Sequence, residues 1–152
     1  WKKNKLSKQI KFMLDYDYNI SFTGYSVIDA NSKNIKYVKA EKKITYQDLL
    51  KTCNVGLSTV IIKKQKMFNH KFANYKTQED YSLWLKLSKN EIFYGLNIDL
   101  TKWRKLSNSL SSNNIQKISD AFKVYYQKEK FNFFNSIFRI FILIYNKINK
   151  NL

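Results

Sequence analysis

The hydrophobic period changes along this chain, and that change restricts its fold more than any other feature. Leu6, Ile10, Met13 and Leu14 recur at i, i+4, i+7 and i+8, the spacing of one helix face, with Lys and Gln opposite. Residues 19–29 (NISFTGYSVID) then alternate at period two and are rich in β-branched and aromatic side chains, which predicts a strand. The polar cluster at 31–34 reads as a turn, and 35–38 as the returning arm of a hairpin.

Thr45 and Asp48 form a capping-box pattern ahead of Leu49 and Leu50, predicting a short helix that Gly56 ends. The β-branched run 58–62 reads as a buried strand, and 63–76 as a loop. Thr77 opens a second capping-box pattern and places Asp80 at the third position of a helix carrying Tyr81, Trp84 and Leu85. Residues 92–96 and 100–106 read as two strands. A loop over 108–114 ends at a good N-cap, and Ile115, Ile118, Phe122 and Tyr125 predict an amphipathic helix to about Glu129. The tail 131–152 is apolar on most sides, basic and free of acids. Its uninterrupted apolar part is shorter than the ~20 residues a bilayer span needs, but it suits a helix lying in a membrane interface.

The net charge of +17 comes from 28 Lys and Arg against 11 Asp and Glu. Only Arg104 and Arg139 are arginines; the rest of the excess is lysine, spread along the whole chain as an AT-rich coding bias would leave it. Sequence-specific DNA readers lean on the bidentate Arg fork, so this composition argues against that function. One cysteine, Cys53, excludes a disulfide framework, and a single histidine, His70, excludes a His-based metal cluster. Three glycines form no phosphate loop.

The segment 78–86 (QEDYSLWLK) carries the most chemical information. A carboxylate at the start of a helix is stabilised by the helix dipole and free N–H groups, so Asp80 is expected to stay ionised and able to take a proton. Glu79 and Asp80 are equally read as simple capping acids. Trp84 reads as core, with sugar stacking as the second reading.

In order and spacing, Trp1…Lys5-Leu6…Gln9…Met13, Ile20-Ser21-Phe22-Thr23-Gly24-Tyr25, Cys53…Gly56…Ser58-Thr59-Val60, Glu79-Asp80-Tyr81…Leu83-Trp84-Leu85, Trp103-Arg104 and Ser109-Leu110-Ser111 resemble bacterial family 2 glycosyltransferases. The resemblance covers residues 1 to about 126. It implies an α/β chain, the C-terminal portion of a GT-A fold (a nucleotide-diphospho-sugar transferase α/β/α fold). Residues 1–107 would be the acceptor-side part of the transferase domain, 108–130 a loop and amphipathic helix, and 131–152 an apolar basic helix. It implies an inverting transfer from a nucleotide-sugar donor to a glycan or glycolipid hydroxyl in surface polysaccharide synthesis. Asp80 maps onto the family's catalytic base, with Glu79 shaping the pocket. Gly56, Ser58 and Thr59 fall on the segment that approaches donor and acceptor, although a plain strand edge explains the last two as well. Trp103 and Arg104 match an aromatic-Arg pair; the guanidinium suits a diphosphate, or a surface salt bridge.

The family's Asp-x-Asp motif, which holds Mg²⁺ or Mn²⁺ on the donor diphosphate, normally stands just before the Trp of the first helix, and this chain begins at that Trp. The nucleotide-binding half and its metal motif are therefore expected upstream, and the chain taken alone is expected to be inactive or very weak. The literal Asp15-Tyr16-Asp17 is read as a loop at a helix C-terminus, with no metal ligand assigned. The rival reading is a non-catalytic basic module binding a polyanion or an anionic membrane. The expected location is cytoplasmic, at the inner face of the membrane.

Overall fold

The computed structural model describes residues 1–106, 109 and 113–149. Leu110 and Ser111 of the Ser-Leu-Ser motif, most of the 108–114 loop, and residues 150–152 of the tail lie outside them. Among the described residues a mixed sheet of five strands is covered by helices. Strand β1 (Ile20–Ile28) is central: β2 (Asn34–Val38) and the two-residue β4 (Ile61–Ile62) pair with it antiparallel, and β5 (Phe93–Arg104) parallel. The short β3 (Lys43–Ile44) adds to β5 antiparallel, giving the order β2-β1-β5-β3. A parallel pair needs a long crossover, here the stretch from β1 through helix α4 (Glu79–Ser88) to β5.

The two strands expected at 92–96 and 100–106 are one. The β1–β5 register runs Thr23 opposite Leu96, Gly24 opposite Asp99 and Tyr25 opposite Thr101, so β5 carries three extra residues, Asn97 and Ile98 and then Leu100, in a bulged stretch. The bulge breaks the period-two pattern without ending the strand. Asn97 Oδ1 accepts from the Tyr37 hydroxyl and the Ala40 N–H, which turns the extra residues into a bracket for the strand edge.

Helix α1 (Lys5–Asp15) forms where its period predicts, with its phase rotated by one residue. Lys5, Gln9 and Met13 are buried, while Leu6, Ile10 and Leu14 face outward, Leu14 at 71% exposure. The cause is hydrogen bonding. Gln9 Nε2 donates to Ser21 Oγ at 3.0 Å and to the Thr59 carbonyl at 2.9 Å, and Lys5 Nζ donates to Gln9 Oε1 at 2.8 Å. Buried polar atoms need partners, and Ser21 on β1 and the Thr59 carbonyl can be met only by the polar stripe of the helix.

Helix α2 (Tyr46–Leu49) starts at the expected capping box, with both Thr45–Asp48 bonds formed. The run 58–62 is not a buried strand. Leu57–Thr59 makes a 3₁₀ turn, closed by Thr59 Oγ1 on the Gly56 carbonyl at 2.6 Å, and only β4 follows. The expected loop 63–76 contains one short helix, α3 (Lys64–Met67).

Helix α5 (Asn114–Lys123) begins at Asn113, whose side chain accepts from Gln116 N–H, and runs on through a π turn (Val124–Lys128). Its buried side is Asp120, Ala121, Val124 and Tyr125, whereas Ile115 of the expected apolar face is 82% exposed. Helix α6 (Phe133–Asn149) buries only Ser136 and Ile140 and shows Phe134, Phe138, Phe141 and Tyr145 to the outside. No described helix is long and apolar enough to cross a membrane.

One apolar cluster joins these elements: Ile20 and Phe22 of β1, Leu49 and Leu50, Tyr81 to Leu85 of α4, Phe93 of β5, and Val124, Tyr125 and Ile140. Two tyrosines lock it. Tyr81 Oη donates to the Leu49 carbonyl at 2.8 Å, Tyr125 Oη donates to the Leu50 carbonyl at 3.2 Å, and the two hydroxyls lie 2.8 Å apart. The start of α4 is thereby held against α2 and the π turn.

Candidate active site

Helix α4 does not start from a Thr77 capping box. Thr77 is committed elsewhere: its N–H and Oγ1 both donate to Asp120 Oδ2 at 3.0 Å. Gln78 adopts a left-handed conformation (φ 64°) and turns the chain into the helix, which begins at Glu79. Asp80 is therefore the second helical residue, with Oδ1 accepting from the Tyr81 N–H at 2.7 Å.

The electrostatics of Asp80 also differ from the expectation of a dipole-stabilised carboxylate. Burial pushes its carboxyl above its ordinary value; the Tyr81 N–H opposes the rise, and the charge of Glu79 adds to it. Desolvation disfavours the charged form, and here it outweighs the helix start. The result is a better proton acceptor, because basicity rises with pKa.

The half-buried Cys53 thiol is near enough to feel the Asp80 charge and is itself pushed up by burial, and Tyr25 on β1 feels Cys53 in turn. Trp84 Nε1 donates to the Val55 carbonyl at 3.3 Å and holds the loop from beneath. Trp1 Nε1 donates to the Ser58 carbonyl at 2.7 Å and holds it from α1, with Lys5 Nζ 4.3 Å from the centre of the Trp1 ring. Trp1, Lys5 and Gln9 thus form a clamp on residues 58 and 59.

Gly56 sits in this loop at φ −74°, ψ 132°, a conformation open to any residue. A Cβ there would meet Thr59 Cγ2 at 3.6 Å and Tyr25 Cε1 at 3.7 Å, ordinary contacts. Gly95 differs: a Cβ on it would collide with the Glu41 carbonyl oxygen. The fold needs a glycine at 95 and makes no use of one at 56. Gly56→Ala is therefore expected to leave stability unchanged or raise it by about 0.5 kcal/mol, while Gly95→Ala costs about 1–3 kcal/mol. Urea melts of the two variants check this pair, and a large loss at Gly56 would refute it.

Several sequence-derived site residues land elsewhere. Trp84 is 1% exposed and packs edge-on against Phe93 at 5.6 Å, so its ring has no face for a sugar. Thr59 is buried and its hydroxyl is used by the Gly56 carbonyl, whereas Ser58 is exposed. Arg104 is neither a surface ion pair nor poised for a diphosphate. Nη1 donates to the carbonyls of Asp29 and Ala30, and Nη2 to Ser32 Oγ, so its fork pins the β1–β2 turn. Trp103 stands exposed near the end of β5, opposite Val27.

No group of three potential metal ligands occurs among the described residues. Asp15 pairs with Lys11 and Asp17 with Lys63, at the C-terminal end of α1. A 220 Å³ pocket between α3 and the far end of α4, lined by His70 and Glu91, lies away from Asp80.

Asp120 was invisible to the sequence reading. It is buried on α5 and accepts from Thr77, from Gln116 Nε2 and from Lys123 Nζ, all at 3.0 Å. Burial alone would raise its carboxyl, but these donors more than offset that and hold it at about 2. Asp120 ties α5 to Thr77, two residues before Glu79.

Asp80 is thus a half-buried carboxylate, raised by burial, at the start of a helix on a mixed α/β sheet. No family model matches the chain. Its homologues are glycosyltransferases. It is 32% identical over 154 aligned residues to TuaG of Bacillus subtilis, a glycosyltransferase described under teichuronic acid biosynthesis, covering all of this chain and 61% of that protein. It is 33% identical over 126 residues to Escherichia coli WfgD, a UDP-Glc:α-D-GlcNAc-diphosphoundecaprenol β-1,3-glucosyltransferase, covering 82% of this chain and 49% of that one. An uncharacterised Haemophilus influenzae glycosyltransferase is 30% identical over 94% of this chain and 58% of its own length. The chain spans about half to three-fifths of these relatives.

Proposed function

We propose that this chain is the acceptor-side portion of an inverting family 2 glycosyltransferase of GT-A fold, acting in surface polysaccharide synthesis. The carrying observation is Asp80, a carboxylate raised by burial at the start of α4 and near enough to the Cys53 thiol for the thiol to feel its charge. The glycosyltransferase relatives support the reading. They motivate a nucleotide-sugar donor and a lipid-linked glycan acceptor, used at the cytoplasmic face of the membrane.

In this reading Asp80 takes the proton from the acceptor hydroxyl as that oxygen attacks the anomeric carbon of the donor sugar. The new carbon–oxygen bond forms as the bond to the diphosphate breaks, and the nucleoside diphosphate departs with the electron pair. Attack from the opposite face inverts the anomeric centre. Glu79 orients the acceptor, Gly56 lets the loop backbone approach it, and Ser58 and Trp103 are exposed to contact it. Arg104, Thr59 and Trp84 act as braces. The described residues do not fit a divalent cation, so no step is routed through one; we place the Mg²⁺ or Mn²⁺ of the complete enzyme on residues outside this chain.

The test is Asp80→Asn in the full-length protein, assayed for transfer with a panel of nucleotide sugars. Transfer is expected to be lost with donor binding retained; transfer at the wild-type rate would overturn the reading.

A further inference from the structure

Resting on that reading, we propose that the groove between α5 and α6 binds the first isoprenoid units and the diphosphate of a lipid-linked acceptor, delivering its sugar to Asp80. The groove has a volume of about 340 Å³, within the range of roughly 300–1,000 Å³ usual for small-ligand sites. Its floor and walls are apolar: Ala121 and Ile118 from α5, and Ile140, Leu143 and Ile144 from α6. Lys117 and Lys147 line it as well, and no acidic side chain does.

The basic groups are crowded. Burial, then the neighbouring charges of Lys147 and Lys105, pull the Lys117 ammonium below its ordinary value. The one acid of α5, Asp120, is buried and held by Thr77, Gln116 and Lys123. An apolar trough bordered by mutually repelling cations is complementary to an amphiphile with a compact anionic head. A diphosphate on a branched hydrocarbon chain is such a molecule.

Position supports the same occupant. Gln78 borders the groove and directly precedes Glu79 and Asp80. The Asp120–Thr77 bonds fix the two sites relative to each other. In the acceptor of the Escherichia coli relative a single sugar is joined to the diphosphate of undecaprenol. With the diphosphate at Lys117 and Lys147, that first ring would extend past Gln78 toward Asp80. The groove is concave between two helices, distinct from the outward face of α6 that Phe134, Phe138 and Phe141 present.

Isothermal titration of the full chain with farnesyl diphosphate tests this. Farnesyl diphosphate is expected to bind at least tenfold more tightly than inorganic pyrophosphate or farnesol. Lys117→Glu and Ile144→Trp, the second filling the groove, are each expected to weaken it at least tenfold. Lys117→Glu lies on the rim, so the test survives if Ile144→Trp fails to fold by circular dichroism. Asp80→Asn should bind within twofold of wild type, so a failed transfer test with intact farnesyl diphosphate binding would remove the base and leave the groove. Pyrophosphate binding as tightly as farnesyl diphosphate would overturn the proposal in favour of general polyanion attraction. Equal displacement by phosphatidylglycerol vesicles would overturn it in favour of a membrane surface. Wild-type affinity in both groove variants would overturn it outright.

Discussion

Asp120→Ala is expected to destabilise the chain by about 3 kcal/mol, one of the largest single effects available in this molecule. The carboxylate serves four donor atoms at once: Thr77 N and Oγ1, Gln116 Nε2 and Lys123 Nζ. Removing it leaves the buried Thr77 groups unsatisfied, at roughly 1–3 kcal/mol for a buried donor. Lys123 is 40% exposed and rehydrates, which keeps the cost at the lower end of that for a broken buried pair. For a chain of this size the melting temperature should fall by about 6–12 °C. The pH dependence carries a second signature. The folded carboxyl sits at about 2, below the unfolded value of about 3.9. Its stabilisation is therefore complete above about pH 4 and is lost as pH falls through about 2. The alanine variant should lack that acid limb. A loss under 1 kcal/mol in urea melts, or an unchanged acid limb, would refute the role given to Asp120.

What could be read from the sequence follows the range of the interactions involved. The Thr45–Asp48 capping box, the 31–34 turn and strand β1 are set by residues within a few positions of one another, and each forms where expected. The phase of α1 is set by Ser21 and by the Thr59 carbonyl, 12 and 50 residues from Gln9. Hydrophobic periodicity alone selected the face that the fold leaves outside. The break in β5 was visible as a lapse in alternation, but only the pairing with β1 shows that it is a bulge. The same holds at the candidate site. Glu79 and Asp80 stood out as adjacent acids at a helix start in a lysine-rich chain, and they do begin α4. Thr77 looked like their cap because its real partner, Asp120, lies 43 residues away. Arg104 looked like a ligand-binding fork because its true acceptors, the carbonyls of a turn, have no sequence signature.

Asp80→Asn is expected to move activity and stability in opposite directions, which separates a base from a cap. Asn caps a helix about as well as Asp, so a purely capping Asp80 would tolerate the change in both measurements. A general base would not: losing the proton acceptor lowers kcat by about 10²–10⁴-fold, with donor binding intact. Burial raises the Asp80 carboxyl above its ordinary value, so the folded state favours the neutral acid. A raised folded pKa means that the ionised group costs stability once pH exceeds the unfolded value of about 3.9, and this cost is present at neutrality. Asn carries no charge and relieves it, so the variant should melt at the same temperature as wild type or slightly higher. Stability given up at a reacting group is the usual sign of a site shaped for chemistry rather than for folding. The wild-type rate should rise with pH as Asp80 loses its proton, with the inflection shifted upward from an ordinary aspartate's, and the residual rate of Asp80→Asn should lack that limb. An unchanged melting temperature together with a kcat within threefold of wild type would identify Asp80 as a cap and leave the Cys53–Gly56 loop without its chemistry.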